Sequence, residues 1–196
     1  MNTINKHTAS IFLGLCLIIF GESTVFAQNK PNSDDLFTEA RKEAFDAKNY
    51  KKAISLAQQA LQMSPNYTDI QVFLGRLYTW TEKTDSARFI FKKVLTANPL
   101  HEDALQANFD LEYWNDRFPK ALEIAEVAVN AYPNRENFTT DKAKALRAMG
   151  KAQEALNTID AFLTNHSASN DLQNLHATLK NELSVYRLGA NYSFTY

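Results

Sequence analysis

The chain has 196 residues, 45% of them hydrophobic and 22% charged, which leaves room for one or two domains and excludes a disordered polymer. Its 21 Lys and Arg stand against 22 Asp and Glu for a formal charge of -1, so no basic excess points to nucleic acid or anionic lipid. Only five glycines are present, Gly14 and Gly21 among them near the N-terminus, which argues against Gly-rich phosphate loops and turn-dense β architectures and for a helical body.

Lys6 and His7 precede an apolar run over residues 11–20 that is too short for a stable membrane anchor. Hydrophobicity then falls and the stretch ends Val25-Phe26-Ala27, small residues standing at the two positions a signal peptidase inspects. Residues 1–27 are therefore expected to be a signal peptide cleaved before Gln28, followed by a linker over 28–33, and the product is expected to be exported to the periplasm or outer membrane. Cys16 lies inside the apolar run behind Leu15, without the small residue that precedes a lipidated cysteine. Cleavage removes this one cysteine, which excludes Cys-ligated zinc, a Cys nucleophile and thiol redox chemistry from the mature protein.

Four alanines, Ala53, Ala87, Ala121 and Ala155, recur at intervals of 34 residues, and Pro65, Pro99 and Pro133 recur at the same interval. The text around each alanine is alike, as in Tyr50-Lys-Lys-Ala-Ile54 and Phe118-Pro-Lys-Ala-Leu122, and a second small or apolar site follows at Ala60, Val94, Ala128 and Phe162. Such a unit is two antiparallel helices whose close approach demands a small side chain. The proline after each second helix withholds a donor and turns the chain out to begin the next unit. The pattern resembles the tetratricopeptide repeat family. The second unit matches best, with Leu74-Gly75, Tyr78, Ala87, Phe91 and Pro99 at the family's spacing; the other three lack the Gly, and the fourth has Ser167 for Pro.

The resemblance implies an all-α fold: a right-handed tetratricopeptide solenoid of four repeats over 34–67, 68–101, 102–135 and 136–167. Leu172, Leu175, Leu179 and Leu183 stand at helical spacing and predict a capping helix over 170–184. In this family the first helix of each unit lines a concave groove through its second, fifth, ninth, twelfth and thirteenth positions. Carried onto this sequence, these positions give Lys42, Phe45, Asp69, Arg76, Thr79, Trp80, Asp103, Asp110, Tyr113, Trp114, Lys144 and Arg147. The partner-binding candidates among them are Arg76, Thr79, Trp80, Asp110, Tyr113, Trp114 and Arg147. Trp80 and Trp114, one repeat apart, are read either as an aromatic ladder for a peptide or sugar, or as packing residues that seal one unit to the next. Arg76 and Asp110 are read as groove charges or as a pair with each other.

No chemistry beyond binding is legible. His101, His166 and His176 are scattered without carboxylate company, so no metal site is expected. Asp34-Asp35 and Glu102-Asp103 open predicted helices, where negative charge complements the helix dipole and caps free N–H groups. No enzyme activity and no cofactor are expected.

After Tyr186 the helical period gives way to alternation, with Leu188, Ala190, Tyr192, Phe194 and Tyr196 on one face and Gly189, Asn191, Ser193 and Thr195 on the other. This predicts a β-strand over 185–196 of the kind that faces lipid in an outer-membrane barrel. Together with Tyr67-Thr-Asp-Ile-Gln-Val-Phe-Leu-Gly-Arg-Leu-Tyr-Thr-Trp80, Asp110-Leu-Glu-Tyr-Trp114 and Asn181-Glu-Leu-Ser-Val185, the mature chain resembles the periplasmic part of the YaiO family of outer-membrane β-barrel proteins. The resemblance implies a non-catalytic scaffold recruiting a protein or glycan partner through its groove, the strand opening a barrel that lies beyond this sequence. A component of polysaccharide export, or an envelope enzyme with its site in that barrel, is the alternative.

Overall fold

The computed structural model describes residues 31–167 and 169–193, with side chains described as far as 185. The expected signal peptide at 1–27, residues 28–30 of the linker and residues 194–196 of the expected strand lie outside the described residues.

Helices follow one another in antiparallel pairs: α1 (Ser33–Phe45) with α2 (Tyr50–Met63), α3 (Thr68–Trp80) with α4 (Thr84–Ala97), α5 (Glu102–Trp114) with α6 (Phe118–Ala131), and α7 (Glu136–Ala148) with α8 (Ala152–Leu163). Each pair packs on the next, and α9 (Asn170–Ser193) lies against α8 and α7. The described residues thus form an all-α tetratricopeptide-like array. Odd helices also touch the next odd helix, α3 with α5, α5 with α7 and α7 with α9. They form one continuous face.

Local chemistry explains the boundaries. The side chain of Asn32 accepts from the backbone N–H groups of Asp34 and Asp35 at 2.8 and 2.9 Å, and Asp35 reaches back to Asn32 N at 3.1 Å, a reciprocal cap. The first helix of each pair, α1, α3, α5 and α7, ends in a turn through a left-handed residue at one register position: Lys48 (φ 53°), Glu82 (φ 59°), Asp116 (φ 56°) and Gly150 (φ 75°). That twist lets Lys83, Arg117 and Lys151 donate to the carbonyls of Tyr78, Glu112 and Leu146 at 2.8, 2.9 and 2.9 Å, satisfying the last turn before the chain reverses.

The core runs between the paired helices. Ala53, Ala87, Ala121 and Ala155 are fully buried, as the spacing argument requires. A second buried column changes size from unit to unit: Ala57, Phe91, Ala125 and Ile159. Facing Phe91 is Gly75, where a Cβ would stand 2.4 Å from Phe91 Cε1. One repeat on, Phe109 takes Gly75's place and Ala125 that of Phe91, so bulk has moved from the second helix to the first.

The C-terminal segment departs from expectation. Residues 185–193, expected to begin a β-strand, are helical and continue α9 as far as Ser193. A solitary strand leaves its N–H and C=O groups without a ladder, whereas helix closes those bonds within the segment. The helix is seeded by Leu172 and Leu179, both fully buried against Ile159 and Phe162 of α8. No helix among the described residues is long and apolar enough to cross a membrane.

Candidate functional site

The odd-helix face carries a polar chain running from α3 to α7. Arg76 Nη1 stands 3.6 Å from Asp110 Oδ2, and its Nη2 donates to the Asp103 carbonyl at 3.3 Å. Gln106 Nε2 donates to Asp141 Oδ2 at 2.6 Å and reaches Asp110 Oδ1 at 3.4 Å, while its Oε1 accepts from Asn137 Nδ2 at 2.7 Å. Burial pushes the Asp110 carboxyl upward against the opposing pull of Arg76. Asp141, 6% exposed, is raised to about 7, chiefly by burial, with the hydrogen bond from Gln106 opposing the rise and the charge of Asp110 adding to it. Gln106 and Asp141 are not among the residues singled out from sequence. The signal was present as a carboxylate in the register column of Phe73 and Ala107, both buried apolar residues.

Toward the N-terminal end, α1, α3 and α5 enclose a cleft of about 260 Å³. Its floor is aromatic: Phe37 meets Phe73 edge-on at 5.4 Å, and Phe45 lies 6.0 Å from Phe73. The Arg41 guanidinium sits 5.7 Å over the Phe37 ring. Asp69 and Asp103 line the same cleft with no salt bridge to either carboxylate among the described residues. Lys42 and Lys144 stand exposed at the register position of Arg76 and Asp110.

The other sequence candidates separate by environment. Trp80 is half-buried between Phe45 and Tyr50, each 5.8 Å away between ring centres. Trp114 is 59% exposed. Tyr113 stacks on Phe109 at 5.4 Å and meets Phe118 edge-on at 5.5 Å. The Thr79 hydroxyl donates to the Gly75 carbonyl one turn earlier, at 3.1 Å. Arg147 belongs to the capping contact: its Nε donates to both Glu182 carboxylate oxygens of α9 at 3.1 and 3.2 Å, and Nη2 joins the pair. The structure therefore brings Arg76 and Asp110 together, holds Trp80 in packing, and leaves Trp114 open.

The tetratricopeptide repeat family model matches residues 44–108. Among solved structures the chain is similar to a tetratricopeptide repeat protein from Parabacteroides merdae ATCC 43184, at 21% identity and a TM-score of 0.63, covering 79% of this chain and 59% of that one. It is similar to MamA of AMB-1, at 20% identity and a TM-score of 0.59, covering 73% of this chain and 80% of that one. A third likeness is to TTC0263, a thermophilic protein of Thermus thermophilus, at 13% identity and a TM-score of 0.63, covering 77% of this chain and 82% of that one. No curated protein matches the chain. The family model covers the first unit from residue 44, the second unit and the start of the third, and the solved neighbours share the fold: residues 44–108 are tetratricopeptide repeats, and the described residues as a whole have a tetratricopeptide-like fold.

Proposed function

We propose that the protein is an exported, non-catalytic scaffold that docks a protein segment along its odd-helix face. One observation carries this reading: the cleft between α1, α3 and α5 joins an aromatic floor to two carboxylates, Asp69 and Asp103, that form no salt bridge among the described residues. It suits a segment that places an apolar side chain on the exposed Phe45 with a basic one toward Asp69 and Asp103, on the side away from Arg41 and from Arg76, which is held by Asp110. A photo-crosslinker introduced at Arg41, on the rim of the same cleft, forms an adduct with a protein partner in cells, and Asp69→Asn with Asp103→Asn reduces its yield. An undiminished yield in the double variant removes the cleft from the docking surface.

The same proposal places the array in the periplasm, as the soluble part of an outer-membrane β-barrel protein. Its support is the apolar run at residues 11–20 ahead of Val25-Phe26-Ala27, and the family resemblance at Tyr67 to Trp80 and Asp110 to Trp114. Envelope fractionation and N-terminal sequencing test it: a product beginning at Gln28 in the envelope fraction is expected, and an uncleaved cytoplasmic product overturns it. A second reading, a polysaccharide-export component, draws on the open indole of Trp114, a surface on which a sugar ring stacks. Retention on a glycan matrix that Trp114→Ala abolishes would favour it.

A further inference from the structure

The four units repeat in register closely enough that each junction predicts the next. At the first junction Trp80 fills a slot whose walls are Phe45 and Tyr50 of the preceding unit. Moving on by 34 residues, Trp114 takes the place of Trp80, and the register positions of Phe45 and Tyr50 are held by Thr79 and Thr84, the latter bonded to Asn115 next to Trp114. Two rings have been replaced by two hydroxyl side chains already engaged elsewhere, Thr79 with the Gly75 carbonyl at 3.1 Å and Thr84 with Asn115 Oδ1 at 3.2 Å. The half-buried indole of the first junction is, at the second, 59% exposed.

We propose that Trp114, over Thr79 and Thr84, is an acceptor slot for an aromatic side chain of a partner polypeptide, which completes from outside the ring cluster that Phe45 and Tyr50 complete within the chain. The slot is continuous with the interface between the first and second units, and that interface supplies the geometry of its occupant: a ring about 6 Å from the indole centre, tilted or edge-on rather than face to face. Charge adds a flank. The turns after α3 and α5 carry Glu82 and Asp116, neither ion-paired among the described residues, while of the bases that follow them Arg117 is held by Glu112 and Lys83 lies over the Tyr78 ring, so the aromatic residue of the partner is neighboured by Lys or Arg. The inference rests on the reading of the array as a docking scaffold and names a second contact, apart from the cleft floored by Phe73.

The chain holds two tryptophans, so its two indole N–H resonances report the two junctions separately. Titration of the full chain with the acetylated, amidated tripeptide Lys-Phe-Lys is expected to move the Trp114 signal and leave that of Trp80 in place. Lys-Leu-Lys is expected to bind about three-fold more weakly, the margin an aromatic pair adds beyond its area. Thr79→Phe with Thr84→Tyr rebuilds the walls of the first junction, shifts the Trp114 emission to the blue and abolishes the response. The inference falls if Trp114 does not respond, if phenylalanine and leucine probes bind equally, if maltotriose moves the signal and the phenylalanine probe does not, or if the response survives in the folded double variant. Should that variant not fold, the comparison of the two tripeptides on the unaltered chain decides. Adduct yield from the Arg41 crosslinker separates the two readings: a response at Trp114 that fails while the yield still depends on Asp69 and Asp103 removes the slot and leaves the scaffold.

Discussion

Arg88 of α4 and Glu112 of α5 meet across the boundary between the second and third units, Nε to Oε1 at 2.8 Å, with the carboxylate 3% exposed. Arg117 approaches the other oxygen from the following turn at 3.1 Å. Glu112→Ala removes a carboxylate shared by two partly exposed guanidinium groups, of which Arg88 keeps Asp85 at 3.1 Å, and is expected to cost about 2 kcal/mol in lost charged hydrogen bonds. Replacing Glu112 by Leu and Arg88 by Met together should cost far less, because the desolvation of both charges disappears with them. Urea denaturation of the two variants checks the difference.

Three left-handed turn positions are occupied by residues with a Cβ, and only the fourth by Gly150. Glu82→Gly relieves the steric penalty at φ 59° and loses a smaller amount to the greater freedom of the unfolded chain. A net gain of about 0.5–1 kcal/mol is expected, read as a rise in thermal midpoint. The same substitution at Gln58, in the middle of α2, should lower it.

Asp141 reverses the usual dependence of a carboxylate. Its folded pKa, about 7, lies above the ordinary 3.8, so between these values the folded state holds a proton that the unfolded state has released. Its contribution to stability is full below about pH 4, declines as pH rises toward 7 and is lost above. Asp141→Asn is expected to stabilise the protein at pH 8 by about 2–4 kcal/mol, and to change little at pH 4. Thermal midpoints of both proteins across this range test the sign.

Gly75→Ala places a methyl group where Phe91 already stands. The overlap outweighs the better helix propensity of alanine, and a loss of about 1–3 kcal/mol is expected. Phe91→Leu in the same chain should recover part of it, a coupling that a double-mutant cycle measures.

The register was legible because it is written in residues whose size is dictated by backbone approach: Ala53, Ala87, Ala121 and Ala155 have no room to vary, and all four are buried. The groove was legible only as positions. Trp80 and Trp114 carry the same sequence signal, and what separates them is the content of the preceding unit, Phe45 and Tyr50 against Thr79 and Thr84, which matters only once the units are stacked. Its repeat position assigns Arg147 to the groove, and the partner that takes it into the capping contact, Glu182, stands 35 residues on and meets it only in space. The segment beyond Val185 carries two periods at once. Alternation from Leu188 onward suggested a strand, but the leucine stripe of α9 enters it from a docked helix, and helix needs no second chain of hydrogen bonds to form.

The exchange of bulk between Gly75 with Phe91 and Phe109 with Ala125 has a genetic consequence. Repeated coding stretches invite unequal crossover, which here would join the first helix of the third unit to the second helix of the second. That hybrid sets Phe109 against Phe91, where even a single added carbon is too close. The reciprocal hybrid sets Gly75 against Ala125 and opens a void. The second and third units therefore each fit only their own helix pair, and recombination that splits a pair between them is opposed although the period is kept to the residue.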